Sequence, residues 1–319
     1  MSTVDGLPSY AELLERTDAP AGSVWGLFGD DDEIGALNLL TPERVQRAAT
    51  TVRRGAVFSL DYPINSFPTP SRPSADHTVI EMANDWRDDS LDRFFLQQTT
   101  QIDGLRHVRH TQHGFYGGID AERVRAGDPT NGVGRWADRG IVGRGVLVDV
   151  AGLRETQGNP LDHAAGEPIT PELLDETLTA QGTQLEPGDM VLLRTDYPRH
   201  LRDHATLEGA HPHAGLAQSH ATLAWLWDHR IPLVAADTFA VECIPRVADS
   251  PLGEGDALGG GLLHPHLIAL LGVVVGELWK LDDLAADCAV DGVYEFMLVV
   301  KPLNLIGGVG SPANATAIK

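Results

Sequence analysis

The sequence predicts an α/β protein, and three observations carry that expectation. Helix-start signals and strand-like runs are interspersed along the chain, no linker or internal repeat divides it, and its composition suits a globular body rich in turns. Of 319 residues 42% are hydrophobic, with 34 Gly and 20 Pro, which leaves ample chain for a large core and argues against a fibrous or disordered protein. Units of this size are often single, so length alone does not demand two domains. The expected organisation is one domain over 1–319, with 1–40 as an N-terminal extension.

Helices are expected after Thr41-Pro42-Glu43 and Thr170-Pro171-Glu172, where a capping hydroxyl precedes a first-turn proline and a carboxylate sits near the positive end of the dipole. A third is expected over 214–229, because Leu216, Ala217, His220, Leu223, Ala224 and Trp227 recur at helical spacing. Strands are expected at 56–61, 145–150, 190–195, 232–237 and 293–300, all rich in β-branched or apolar residues. The proline-rich 63–74 reads as an extended surface connection. The apolar run 267–275 is too short to span a membrane and reads as core.

A formal charge of −21, from 45 Asp+Glu against 24 Lys+Arg, repels phosphate backbones and anionic lipid, so neither nucleic acid nor membrane is an expected partner. Most of that charge reads as a solubilising surface. Cys243 and Cys288 are too few for a disulfide framework or a cysteine-rich zinc site, and read as small buried hydrophobes. The N-terminus carries acidic residues where a signal peptide places basic ones, which gives a cytoplasmic expectation.

The most informative stretch is 96–107, LQQTTQIDGLRH. On an extended segment Gln97, Thr99, Gln101, Asp103 and His107 share one face, which would present oxygen and nitrogen donors to one ion, and Gly104 permits a close backbone approach just after the carboxylate. Read on the residues alone, Gln and Thr on one strand face are more often solvent-facing. His110 and His113 read as a wet loop. Downstream, His264 opens an apolar run and Glu277 lies between Val273-Val274-Val275 and Leu278-Trp279, so the two can meet as a histidine–carboxylate pair. The plainer reading is a helix cap for His264 and a surface acid for Glu277, although an acid buried in that context needs a partner.

These stretches together resemble the cyclase family that includes kynurenine formamidases and isatin hydrolases. Its segment His-x-Gly-Thr-His-x-Asp-x-Pro-x-His falls on Gln97, Thr99, Thr100, Gln101, Asp103, Leu105 and His107. Trp25-Gly26, the run 32–38, Leu185-Glu186-Pro187-Gly188-Asp189 leading to Arg194-Thr195, and Gly310-Ser311-Pro312-Ala313-Asn314 are similar to its longer-chain branch. The resemblance spans nearly the whole chain. It implies a compact β/β/α (swivelling) body, a homodimer or larger assembly, and a divalent metal, zinc or manganese. It also implies Asp103, His264 and Glu277 as ligands and His107 as the acid/base. The sequence departs from the pattern where Gln97 and Gln101 stand for histidine, Thr99 for glycine and Leu105 for proline. An amide oxygen is a weaker zinc ligand than imidazole, so one ion, with Gln101 assisting, is expected in preference to two.

The expected activity is hydrolysis of an amide or lactone in a small cyclic or aromatic substrate, with a metal-activated water and His107 moving protons. A lyase or ring-closing cyclase on the same groups, and a catalytically silent binding protein, are the alternatives. No Gly-x-Ser-x-Gly elbow is present, and Gly259-Gly260-Gly261 lacks the lysine and spacing of a phosphate loop and reads as a turn beside His264. Trp86, Phe94, Tyr197 and His213 are the substrate-contact candidates, each with a competing reading as core; Phe95, Phe115, Tyr116, Phe239 and Glu242 are weighed in the same way.

Overall fold

A computed structural model describes residues 6–203, 211–253 and 260–319. Leu258 and Gly259, part of the expected glycine turn, lie outside the described residues; Gly260 and Gly261 accept from Arg246 Nη1 (3.1 Å) and Ser250 Oγ (2.7 Å). In chain order the strands are β1 (Val57–Ser59), β2 (Asp76–Glu81), β3 (Arg87–Asp92), β4 (Gln101–Asp103), β5 (Ile141–Asp149), β6 (Pro168–Ile169), β7 (Met190–Arg194), β8 (Gly215–Leu216), β9 (Leu233–Ala236), β10 (Val274–Glu277), β11 (Glu295–Val300), β12 (Gly310–Pro312) and β13 (Ala315–Ile318). Nine of them form one sheet in the order β1-β13-β11-β5-β7-β9-β10-β4-β12.

The middle strands β5, β7, β9 and β10 run parallel, while the flanking pairs are antiparallel. Strands β9 and β10 are buried along their full length, as expected for parallel strands covered on both faces. The helices α1 (Tyr10–Leu14), α2 (Pro42–Ala49), α3 (Val133–Arg139), α4 (Val150–Thr156), α5 (Pro171–Gln181), α6 (Tyr197–Asp203), α7 (His220–Asp228) and α8 (Asp282–Asp291) complete a mixed α/β unit. Among the described residues no helix is long and apolar enough to cross a membrane.

All five expected strands form, and α2 and α5 start at the prolines that announce them. Cys243 and Cys288 are buried and free, and 267–275 is core. Residues 24–39 also pack inward: Val24, Leu37 and Leu39 are fully buried, Trp25 Nε1 donates to Ala269 O at 2.7 Å, and Ala36 N to Gly272 O at 2.9 Å.

Three local expectations are corrected. The helix expected over 214–229 begins only at His220, because Ser219 Oγ accepts from Thr222 N at 3.0 Å and sets the cap there; Gly215 and Leu216 instead pair with β6. In 96–107 only Gln101–Asp103 is a strand, so the alternating face holds for two side chains and fails for Thr99, whose hydroxyl donates to Pro63 O at 3.2 Å. The 63–74 segment is no mere surface connection: Thr69 and Arg72 bridge each other, and Gln98 Nε2 donates to Pro73 O at 2.8 Å, which lays the loop along the approach to β4.

Candidate metal centre and active site

Strand β4 sits between β10 and β12, and its register decides what meets what. Gln101 is opposite Glu277, and Asp103 is opposite Val275 on one side and Gly310 on the other. Gln101 and Asp103 therefore face the same side as Glu277, two residues apart on a pleated strand, while Ile102 enters the core fully buried. The next residue, Gly104, donates to Val309 O at 2.9 Å; a β-carbon there would stand 2.5 Å from that oxygen, so only glycine allows the approach. Gly310 has the same function for Gln97, whose side chain occupies the place of the missing β-carbon.

His264 arrives from the other direction, as the residue before a short π-helix, Pro265–Leu270. It makes no capping bond; its ring turns into the sheet, where Nε2 lies 3.0 Å from Glu277 Oε1 and 3.8 Å from Asp103 Oδ2. One ligand atom each from Asp103, His264 and Glu277, all buried, lie within 4.8 Å of one another. His107 stands at the edge, half-buried, with Nε2 3.6 Å from Asp103 Oδ1. Gln97 Nε2 donates to Asp103 Oδ1 and lies 3.0 Å from His107 Nδ1. Gln101 Nε2 donates to Glu277 Oε2.

The charges strain against burial. Burial, reinforced by the negative charge of Asp103, pushes the Glu277 carboxyl up to about 7. Burial opposes ionisation of Asp103 too, but His107 and His264 outweigh it and hold that carboxyl below its ordinary value. Burial would push His264 down, yet Glu242, Asp103 and Glu277 around it hold the imidazole well above the usual range. Burial lowers His107, leaving a neutral ring near neutral pH. Buried carboxylates gathered around one imidazole are the environment a divalent cation stabilises.

The donor set fits such an ion. Among the described residues Asp103 Oδ2 and Gln101 Oε1 are buried with no hydrogen-bond partner, a costly state unless a cation takes their lone pairs. One imidazole nitrogen with carboxylate and amide oxygens suits zinc or manganese. Behind His264 lies Glu242, fully buried, with Oε1 2.5 Å from His264 Nδ1 and Oε2 accepting from Leu263 N. That arrangement is the carboxylate–histidine support found behind metal-ligating imidazoles. The sequence reading left Glu242 undecided. The available signal was an acid between Val241 and Cys243-Ile244, the same apolar context that marked Glu277.

The substrate-contact candidates divide. Tyr197 and His213 are buried and lie 5.2 Å apart as ring centroids, with Phe239 6.0 Å from Tyr197. This group lies beside the turn after β9, where Thr238 O accepts from Leu278 N, next to Glu277. His213 also has its ring nitrogens against His211 O (2.7 Å) and Ala240 O (3.2 Å), so it is held by backbone. Phe94 is half-buried before the 97–100 turns. Trp86 is 74% exposed at the turn of the β2–β3 ribbon and is not brought to the cluster. His110 and His113 lie in the turns before Gly114, half-buried and stacked at 4.8 Å, with His266 edge-on to His110 at 5.0 Å.

Residues 58–243 match the family model described as putative cyclase. The structure is similar to a crystal structure of a novel cyclase at 34% identity and TM-score 0.80, covering 93% of this chain and 99% of that one. It also matches isatin hydrolase A from Ralstonia solanacearum (18% identity, 86% and 94% covered, TM-score 0.56) and from Labrenzia aggregata (17%, 85% and 94%, TM-score 0.53), likenesses of fold. No curated protein matches. With more than half its length under the family model and a relative at 34% identity along nearly all of it, the chain belongs to the cyclase family.

Proposed function

We propose that this chain is a metal-dependent hydrolase that cleaves an amide or lactone bond in a small cyclic or aromatic substrate. The observation that carries the reading is the buried Asp103, His264 and Glu277 triad, the unpartnered oxygens of Asp103 and Gln101, and a neutral histidine at its edge. A divalent ion bound there supplies the positive charge that acidifies water and polarises a carbonyl. Asp103, His264 and Glu277 would hold that ion, with Gln101 as a further donor whose Oε1 is buried without a hydrogen-bond partner. In the neutral His107 ring, Nδ1 is the acceptor, shared with the Gln97 amide, and Nε2–H faces Asp103. A proton taken up by the His107 ring, as the Gln97 amide gives way, yields an imidazolium that Asp103 stabilises and that returns the proton to the leaving nitrogen or oxygen. Water thus adds hydroxyl to the acyl carbon and hydrogen to the leaving atom.

The names of the structural neighbours support hydrolysis as the reaction type; the small cyclic or aromatic substrate is our reading. Association into a homodimer or larger is likewise proposed, supported by the apolar Val79, Ile80, Met82 and Trp86 exposed on the β2–β3 ribbon. The test is a panel of cyclic amides, lactones and N-formyl anilines, with zinc or manganese supplied and products weighed by mass spectrometry. A metal-dependent gain of one water is expected. A product that has lost water, or no product from any substrate, overturns the reading.

A further inference from the structure

One charged side chain beside the cluster has no part in the proposed chemistry. Arg72 lies in the 63–74 loop, held by mutual bonds to Thr69 and half-buried. Its Nη1 donates to the backbone oxygen of Gln97, the residue whose amide touches both Asp103 and His107. The guanidinium is therefore anchored within one residue of the catalytic group. Its charge bears on both His107 and Glu277.

What Arg72 lacks is an anion. Among the described residues no carboxylate pairs with it, although the chain carries 45 Asp+Glu against 24 Lys+Arg. The neighbouring ribbon shows the usual outcome: Arg87 pairs with Glu81 at 3.1 Å and Arg93 with Asp76. A half-buried guanidinium uses one donor on Gln97 O and keeps the rest of its planar fork free. That fork matches a carboxylate in two-point geometry. In a protein of such negative charge a fixed cation is what receives an anionic group.

We infer that Arg72 binds a carboxylate of the substrate, so the class taken by this site is an amide or lactone that carries a carboxylate group. The inference rests on the hydrolase reading for the bond cleaved, but not for the binding. Arg72 is a binding residue in this account, with no part in proton transfer. Neutral analogues of the same size lose the charge-assisted contact and bind more weakly.

Calorimetric titration of the metal-loaded protein with 2-formamidobenzoate and with the uncharged 2-formamidobenzamide tests it in wild type, Arg72→Ala and Arg72→Gln. Glutamine keeps a donor for Gln97 O and removes only the charge, so it separates loop anchoring from anion binding. Wild type is expected to bind the acid at least tenfold more tightly than the amide. Both variants are expected to lose that preference while their affinity for the amide stays within about twofold of wild type. Equal affinities in wild type, no binding of the acid, or an unchanged preference in folded Arg72→Gln overturns the inference. An Arg72-dependent preference without any water-added product leaves the inference standing and removes the hydrolase reading.

Discussion

Glu242 Oε1 lies 2.5 Å from His264 Nδ1, and its second oxygen accepts from the backbone of Leu263, so one buried carboxylate fixes both the ring and the chain that carries it. With Nδ1–H committed to Glu242, Nε2 is the nitrogen turned to Asp103 and Glu277. The orientation of the imidazole is thus set by a residue outside the ligand triad.

Removing that support should show in binding. Glu242→Ala is expected to weaken zinc or manganese affinity about 10–100-fold, with a stability loss of about 1–3 kcal/mol for the donors left unpaired. Glu242→Gln, whose amide oxygen still accepts from Nδ1, should recover part of the affinity. Titration calorimetry with thermal melts checks both, and wild-type affinity in a folded Glu242→Ala protein would show that the contact does not orient the ring.

Position 101 offers a gain in place of a loss. Its Oε1 is unpartnered beside the triad, so Gln101→His should tighten zinc binding, an imidazole being the better zinc ligand. Position 97 differs, since its amide donates to Asp103 and His107, and histidine there should weaken activity without tightening the metal. Zinc titrations of the two variants distinguish the positions; tighter binding at 97 and none at 101 would reverse these assignments.

Stability should fall as pH rises between about 4 and 6. Burial pushes the Asp61 carboxyl up to about 6, against an ordinary value of 3.8, although Ala315 N donates to it at 2.7 Å. The folded protein therefore holds a proton that the unfolded chain has released, so the contribution is fully present below about pH 4 and lost by about pH 6. The group is partly exposed, and the loss is on the order of 2 kcal/mol. Asp61→Asn keeps an oxygen for Ala315 N and should reduce the slope in this window in denaturant titrations, leaving the part due to Asp189, whose carboxyl burial also pushes up to about 6. An unchanged slope would place the titrating group elsewhere.

His107→Ala should retain bound metal and lose turnover, because His107 touches Asp103 at 3.6 Å from outside the triad. Metal analysis alongside activity on the best panel substrate checks it, and loss of metal would make His107 a ligand.

Much of this was legible in the sequence. The five strands, α2 and α5 follow from apolar runs and proline-marked caps, His264 and Glu277 stand out against apolar neighbours, and the ligand set with Asp103 is what the family resemblance implies. The alternating face at 97–107 was legible only in part, because backbone bonds from Pro63 and Thr69–Arg72 bend the segment before β4, and such long-range partners leave no local period. Arg72 was hidden in a loop marked mainly by its prolines. Trp86 was chosen for its aromatic ring, yet ring type carries no information on which way a ribbon points it.

Asp103, His264 and Glu277 are proposed to hold one divalent ion. Titrating metal-free wild type and Asp103→Ala with zinc or manganese tests it most directly. The account predicts one ion per chain in wild type and a loss of at least tenfold in affinity in folded Asp103→Ala. No binding by wild type, or full occupancy at unchanged affinity in the variant, would contradict it.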